Sequence, residues 1–420
     1  MTKNFSLQKI LFFLFLAAIF FFKIPNFYFL PQIPSSFFTT QSAARAIILL
    51  LFVIKTGEMV MKRENVFKKR ESKRIVQLCL LLFLFQSISI IEAINMVAFL
   101  NRYKDVVVGL CSLFVFYYYK RGSDKIITVF LYSVLFNAFF QFLILFDSQL
   151  FLATFSPILY KNYLGLLIAN IDRGRIYVPT YDEMVVPFLF LPQQAIHLKT
   201  KILPVIAFLT ITFFALASNI RSSVLVFGLG LLGSLISYRK IALQKIILSI
   251  GFLLLISYFT NSLLVNFVGF SFYDRLTFQN QAEDVDTISQ RGQQIEQSIA
   301  MANTSIFGVG LGNYYDNVSM PKIIIAYSES RRTEIRNARE YVHNIFGTLA
   351  AESGYVSLAV FIVIMLLFVK QDILTFKGKK TQNKAFVIAF WALFSWGLVN
   401  PPVSGTYQVL FWGIRGLLLI

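Results

Sequence analysis

Long apolar stretches recur along this chain and constrain its fold more than any other feature. Crossing the hydrocarbon core of a bilayer as a helix takes about 20 mostly apolar residues. Such runs lie at 10–30, 38–54, 75–98, 105–119, 126–146, 184–198, 202–219, 222–238, 246–267, 343–369, 385–400 and 403–420, about twelve in all. In lipid each backbone N–H and C=O must be satisfied within its own segment, so runs of this length predict helices. Composition agrees, with 57% of the 420 residues hydrophobic and 14% charged. A soluble domain carries roughly 25% charged residues and has no core for 47 Phe. The expectation is an all-α polytopic membrane protein in which residues 1–420 form a single membrane domain.

Three runs carry qualifications. The one at 184–198 is short and holds Pro187 and Pro192, so a kinked or re-entrant segment fits as well as a span. The last is interrupted by Pro401, Pro402 and Arg415, which leaves its crossing open. The first follows Lys3 and Lys9 as a signal peptide would. No small-residue cleavage site follows Phe20 to Lys23, so it is read as a retained helix.

Orientation follows from Lys and Arg in the short connections. Basic clusters fall at 55–74, 120–125, 199–201, 239–245 and 370–384, each separated from the next by a pair of apolar runs. That alternation predicts every cluster, and both termini, in the cytoplasm. These segments together with Lys3 and Lys9 account for the whole net charge of +18. The excess then reports topology and gives no reason to expect nucleic acid as a partner. Two loops fall outside the membrane: a first outer loop at 147–183 and a large one at 268–342, before the tenth run, of roughly 75 residues. Connections between helices in bundles usually run about 2–8 residues, and loops this long tend to carry function.

Cys79 and Cys111 both sit in apolar runs, which argues against a disulfide or thiolate framework. His197 and His343 are the only two histidines, too few for a multi-histidine metal centre. No metal and no cofactor are expected.

Several charged residues stand out against this background. Arg221 lies between the runs ending at Ser218 and starting at Val224, where it either faces a cavity or snorkels to the interface. Arg45 and Glu92 raise the same question. In the large loop, Ser289 to Glu296 contains Arg291 and is followed by Gly308-Val309-Gly310-Leu311-Gly312. Glycines there would let backbone N–H groups approach an anion, or would make a tight turn against a helix. Without a Gly-Lys-Ser/Thr sequence the stretch is not a phosphate-binding loop of the Walker kind. If helical, Arg332, Arg336, Arg339 and His343 share one face, a cationic stripe entering the membrane or a solvated face. His343 suits a general base near pH 7. Glu352 lies nine residues on, about 900° of ideal helix, so it would face away from His343. Either the helix breaks between them or Glu352 serves another contact.

The placement of Arg221, Arg291, Gly308-Val309-Gly310, His343-Asn344 and Glu352-Ser353-Gly354 resembles the O-antigen polymerase/ligase superfamily, mainly over residues 205–370. The chain departs from the family pattern at Ile220-Arg221-Ser222, where Ser-Arg-Gly is frequent, and at Ser305, where a proline commonly precedes the Gly-x-Gly. The resemblance implies a glycosyltransferase-C-like architecture and an inverting, metal-independent transfer at the outer leaflet. The implied donor is an undecaprenyl-diphosphate-linked glycan, and the implied acceptor a lipid-linked or lipid A–core glycan. Arg221 and Arg291 would hold the diphosphate, with Arg336 and Arg339 beside them. His343 would be the base, supported by Asn344, Glu352, Gly308 and Gly310. Membrane lipids surround the site, and a chain-length regulator is a candidate partner.

Fixed guanidinium groups suit a departing diphosphate, because their charge is permanent and their planar fork matches phosphate oxygens. Tyr177, Tyr181, Tyr314, Tyr315 and Tyr327 could stack on sugars or belong to an interfacial belt. A repeat-unit polymerase is the first reading, an O-antigen ligase the second, and a flippase or other transporter the third. Against the transporter, the two halves show no paired repeats.

Overall fold

The computed structural model describes residues 2–31, 37–62, 69–171, 281–317, 342–378, 381–402 and 404–419, with single residues and short pieces between 206 and 271. The expected runs at 184–198, 202–219, 222–238 and 246–267 lie wholly or largely outside the described residues.

The described residues form helices and no strand. The helices of eight or more residues that the structure delimits are α1 (Thr2–Lys23), α2 (Thr40–Met61), α3 (Arg70–Ile88), α4 (Met96–Tyr119), α5 (Ser123–Phe146), α6 (Ser148–Phe155), α7 (Lys161–Ile171), α8 (Gln281–Thr304), α9 (Ile345–Lys377), α10 (Thr381–Val399) and α11 (Gly405–Leu418). Among the described residues, three helical stretches are long and apolar enough to cross a membrane: Arg70–Glu92, Met96–Phe146 and Ile345–Lys377. The middle stretch holds α4 and α5, 24 residues each, joined by a tight turn at Lys120–Gly122.

Boundaries differ from the apolar runs for local reasons. The run at 75–98 is divided: α3 passes into a 3-10 turn at Ser89–Glu92, and Asn95 restarts the chain by accepting the Ala98 N–H at the N-terminus of α4. Part of the expected first outer loop is helical, as α6 and α7, with Asp147 capping α6 through the Leu150 N–H. The final run becomes a 14-residue helix that starts at a Ser404 cap. Arg415 does not interrupt it.

Two contacts hold the centre of the bundle. The first is the line between α4 and α11, where small residues let backbones approach closely. A side chain at Gly416 would collide with the Leu113 carbonyl, and one at Gly413 would come within 3.0 Å of the Phe116 ring. Ser112 Oγ donates to the Val409 carbonyl at 2.9 Å across this seam. The second contact surrounds Arg415, which is fully buried. Its Nη1 lies 2.8 Å from each Asp372 oxygen and its Nη2 donates to Gln371 Oε1 at 3.0 Å. Its guanidinium lies 3.8 Å from the Phe368 ring centroid and 4.7 Å from that of Phe390. Trp391 Nε1 donates to Asp372 at 2.8 Å, which brings in α10. Helices α9, α10 and α11 thus meet at one ion pair.

Several of the basic clusters gather at one end of this bundle. Lys55 Nζ bonds Gln8 Oε1 at 2.6 Å and sits 4.4 Å over the Tyr118 ring. Lys120 Nζ donates to the Leu419 carbonyl, and Lys370 pairs with Glu71 at 3.0 Å. The N-terminus of α4 points to the opposite end, about 36 Å away for a 24-residue helix.

Removing one partner of a buried pair strands a charge and costs about 3–5 kcal/mol. Asp372→Ala is therefore expected to lower the melting temperature of the detergent-solubilised full chain clearly. Asp372→Leu combined with Arg415→Met is expected to recover most of the loss. Thermal unfolding followed by fluorescence checks both, and a double-variant loss equal to the sum of the Asp372→Leu and Arg415→Met losses would show that no coupling exists.

Candidate functional site

At the end of the bundle opposite those basic clusters, the loop after α8 is pressed onto α4 and α9. Its glycines have left-handed backbones, with φ 72° at Gly308, 92° at Gly310 and 72° at Gly312. L side chains rarely adopt this region, and here each glycine also touches a neighbour. A Cβ on Gly308 would strike the Ala351 carbonyl, on Gly310 it would lie 2.8 Å from Ala93, and on Gly312 2.6 Å from the Ala98 carbonyl. Opposite them Gly354 breaks α9, with φ 76° and ψ 176°, and a side chain there would strike the Ile306 carbonyl. The break exposes backbone groups that the loop satisfies: the Val309 N–H donates to the Ala351 carbonyl at 2.8 Å. Of the two uses open to the glycine stretch, the geometry shows the tight turn against a helix.

Side chains complete the clamp. Asn313 is fully buried, accepts the Asn95 N–H at 2.6 Å and donates to the Asn95 carbonyl at 3.2 Å. Ser305 Oγ donates to Glu92 at 2.9 Å, so Glu92 fixes the loop from the turn before α4. Glu352 is 1% exposed and pairs with Arg102 Nε at 3.6 Å, and Arg102 also donates to the Pro402 carbonyl at 3.2 Å. Glu352 therefore serves another contact, as one of the two options required. The helix also fails to run from His343 to Glu352, because α9 begins only at Ile345. Arg45 pairs with Asp105 at 3.1 Å.

His343 lies just outside α9 and is fixed on both sides. On one side Val342 is 1% exposed and packs with Met301, Val309, Tyr314 and Ala351. On the other, Asn344 caps α9, accepting the Phe346 and Gly347 N–H groups, and its Nδ2 donates to the Leu398 carbonyl at 3.1 Å. The half-buried imidazole faces α8. Gln294 Oε1 lies 3.2 Å from the His343 backbone nitrogen and 3.1 Å from its Nδ1. Arg291 is exposed three residues earlier on α8, the spacing that places two side chains on one helix face.

Helix α8 is itself held where it carries Gln294. Ser298 is fully buried and donates to the Gln294 carbonyl at 2.6 Å. Tyr314 also reaches that carbonyl, at 3.5 Å, and donates to Gln297 Oε1 at 3.3 Å. Burial pushes the Tyr314 phenol up to about 12, against a lowering contribution from Ser298, so it stays a donor. At 1% exposure Tyr314 is a packing residue and does not present its ring to a sugar.

Of the residues singled out in the sequence, Arg291 lies three residues before Gln294, which meets His343; Asn344 caps α9, Gly308 and Gly310 pack against Ala351 and Ala93, and Glu352 pairs with Arg102. Arg221, Arg336, Arg339, Tyr177, Tyr181 and Tyr327 lie outside the described residues. Sequence reasoning missed Arg102, Asn313 and Gln294. Gln294 was detectable, since Gln294, Ser298, Met301 and Ala302 repeat at helical spacing behind Arg291.

Gly354→Ala is expected to dislodge the loop. Limited proteolysis of the solubilised protein should show faster cleavage within 305–313 than in the wild type. Gly57 lies in α2 with nothing near its Cβ position, so Gly57→Ala is expected to stabilise by about 0.5–1 kcal/mol and leave cleavage unchanged.

No curated protein matches the chain. Residues 206–397, which include the α8 face, the glycine loop, His343 and the Gly354 break, match the family model described as O-antigen ligase, and this match supports the O-antigen polymerase/ligase superfamily for the chain.

Proposed function

We propose that the chain is a membrane glycosyltransferase. It transfers a glycan from an undecaprenyl-diphosphate carrier to a sugar hydroxyl, with inversion, as a repeat-unit polymerase. The family match supports O-antigen ligase/polymerase-type chemistry. The observation that carries the reading is His343 held by Gln294 on the helix face that also bears Arg291. A proton acceptor and a permanent cation then flank one patch, as a single displacement requires.

In this reaction His343 Nε2 takes the proton of the acceptor hydroxyl as its oxygen attacks the anomeric carbon from the face opposite the diphosphate. The bond from that carbon to the diphosphate oxygen breaks, and the diphosphate leaves with the electron pair. Arg291, with Arg221, Arg336 and Arg339 as further members, counters the charge developing on it. No metal or cofactor enters the step. Glu352, Gly308 and Gly310 hold the platform and do not meet the substrate.

The positive-inside rule supports the outer face for this site, because it lies at the end of α4 away from Lys55, Lys120 and Lys370. With that orientation the chain sits in a bacterial inner membrane with its termini in the cytoplasm and works on the periplasmic side. A second reading, the ligase that moves the finished glycan onto lipid A–core, is favoured by the description of the matching family.

Deleting the gene and resolving the surface glycan on a gel separates the two. A single repeat unit capped on lipid A identifies a polymerase, and long chains stranded on undecaprenyl diphosphate identify a ligase. Normal long chains on lipid A would exclude both. Arg291→Ala and His343→Ala are expected to abolish assembly while the protein remains in the membrane fraction; loss of a general base removes roughly 10²–10⁴-fold in rate. Full activity in His343→Gln would remove His343 from the role of base.

A further inference from the structure

We infer that Gln294 is the positioning residue that decides which ring nitrogen of His343 carries the proton, and that it leaves Nε2 as the accepting atom. The inference rests on the proposal that His343 is the base.

The chemistry of the contact leaves one arrangement. A backbone N–H can only donate, so the Gln294 atom 3.2 Å from the His343 nitrogen is the carbonyl oxygen. The same oxygen lies 3.1 Å from His343 Nδ1, and an oxygen with no hydrogen cannot donate to a ring nitrogen. Nδ1 must therefore carry the proton. In the neutral ring Nε2 then holds the lone pair, since the hydrogen bond made by one nitrogen sets the state of the other. This is the reverse of the tautomer that a histidine side chain prefers in water.

The surroundings make the arrangement rigid. The Gln294 backbone carbonyl accepts from Ser298, and the Tyr314 hydroxyl packs 3.5 Å from it. A side chain at Gly347 would come within 2.8 Å of Val342 and 3.3 Å of Ser298 Oγ, so α8 and the start of α9 are in contact at this level. His343 is further fixed by the buried Val342 before it and the capping Asn344 after it. Both halves of the hydrogen bond are thus held by separate packing, and the ring has little freedom to turn its Nε2 toward Gln294.

The chain has two histidines, so a His197→Gln variant of the full-length protein labelled with 15N-histidine gives a single imidazole. Its spectrum in detergent, at a pH where the ring is neutral, is expected to show protonated Nδ1 and bare Nε2. Gln294→Met keeps the volume and removes the acceptor. It is expected to return the ring toward the water tautomer and to lower glycan assembly about 10–100-fold at unchanged membrane content. Gln294→Glu retains an acceptor and is expected to keep the tautomer and most of the activity. A wild-type ring protonated at Nε2 would overturn the inference without any variant. Full activity in Gln294→Met, with His343→Ala inactive, would also overturn it and leave the base reading standing. If His343→Ala is active while the Nδ1–H signature is present, the base reading falls and the control of the ring by Gln294 stands.

Discussion

The site depends on one backbone contact, the meeting of the glycine loop with the broken turn of α9. A helix interrupted at apolar depth leaves N–H and C=O groups without partners, and such groups are costly where water is scarce. Here the interruption at Gly354 is matched by a loop whose own backbone supplies the Val309 donor. Neither half is satisfied alone. The glycines follow from the closeness of the approach, since carbonyls of Ile306 and Ala351 occupy the places where side chains would begin.

Charged residues then fall into two groups with different work. Arg415 with Asp372, and Arg102 with Glu352, are buried pairs that join helices distant in sequence. Their worth lies in fixing which helices meet and in what register, because a buried charge tolerates few partners. Arg291 and His343 are more accessible and sit on a surface that those pairs hold still. Long apolar helices provide the frame and buried ion pairs lock it, while Arg291 and His343 lie nearer its surface.

Several elements were legible in the sequence for physical reasons. Apolar runs such as 105–119 and 343–369 became helices because lipid admits few alternatives for the backbone. Asn344 and Gly354 could be picked out by residue type, although their work as a cap and as a break appears only in the fold. Helix α8 was hidden because its apolar residues are few and the stretch 268–342 reads as a long polar loop. The role of Glu352 was hidden as well: its partner Arg102 lies 250 positions away, and no local spacing announces such a contact.

By itself the sequence determined that the described core is helical and fit for a membrane, and it singled out His343, Arg291 and the glycine stretch as residues outside that apolar logic. Periodicity and hydropathy are local properties, so they are fully written in the order of residues. Only the tertiary structure decided that Gln294 faces the imidazole, that the glycines serve a backbone clasp, and that Glu352 answers Arg102. These are meetings between α8, α9 and α4, and each depends on distances that packing alone sets.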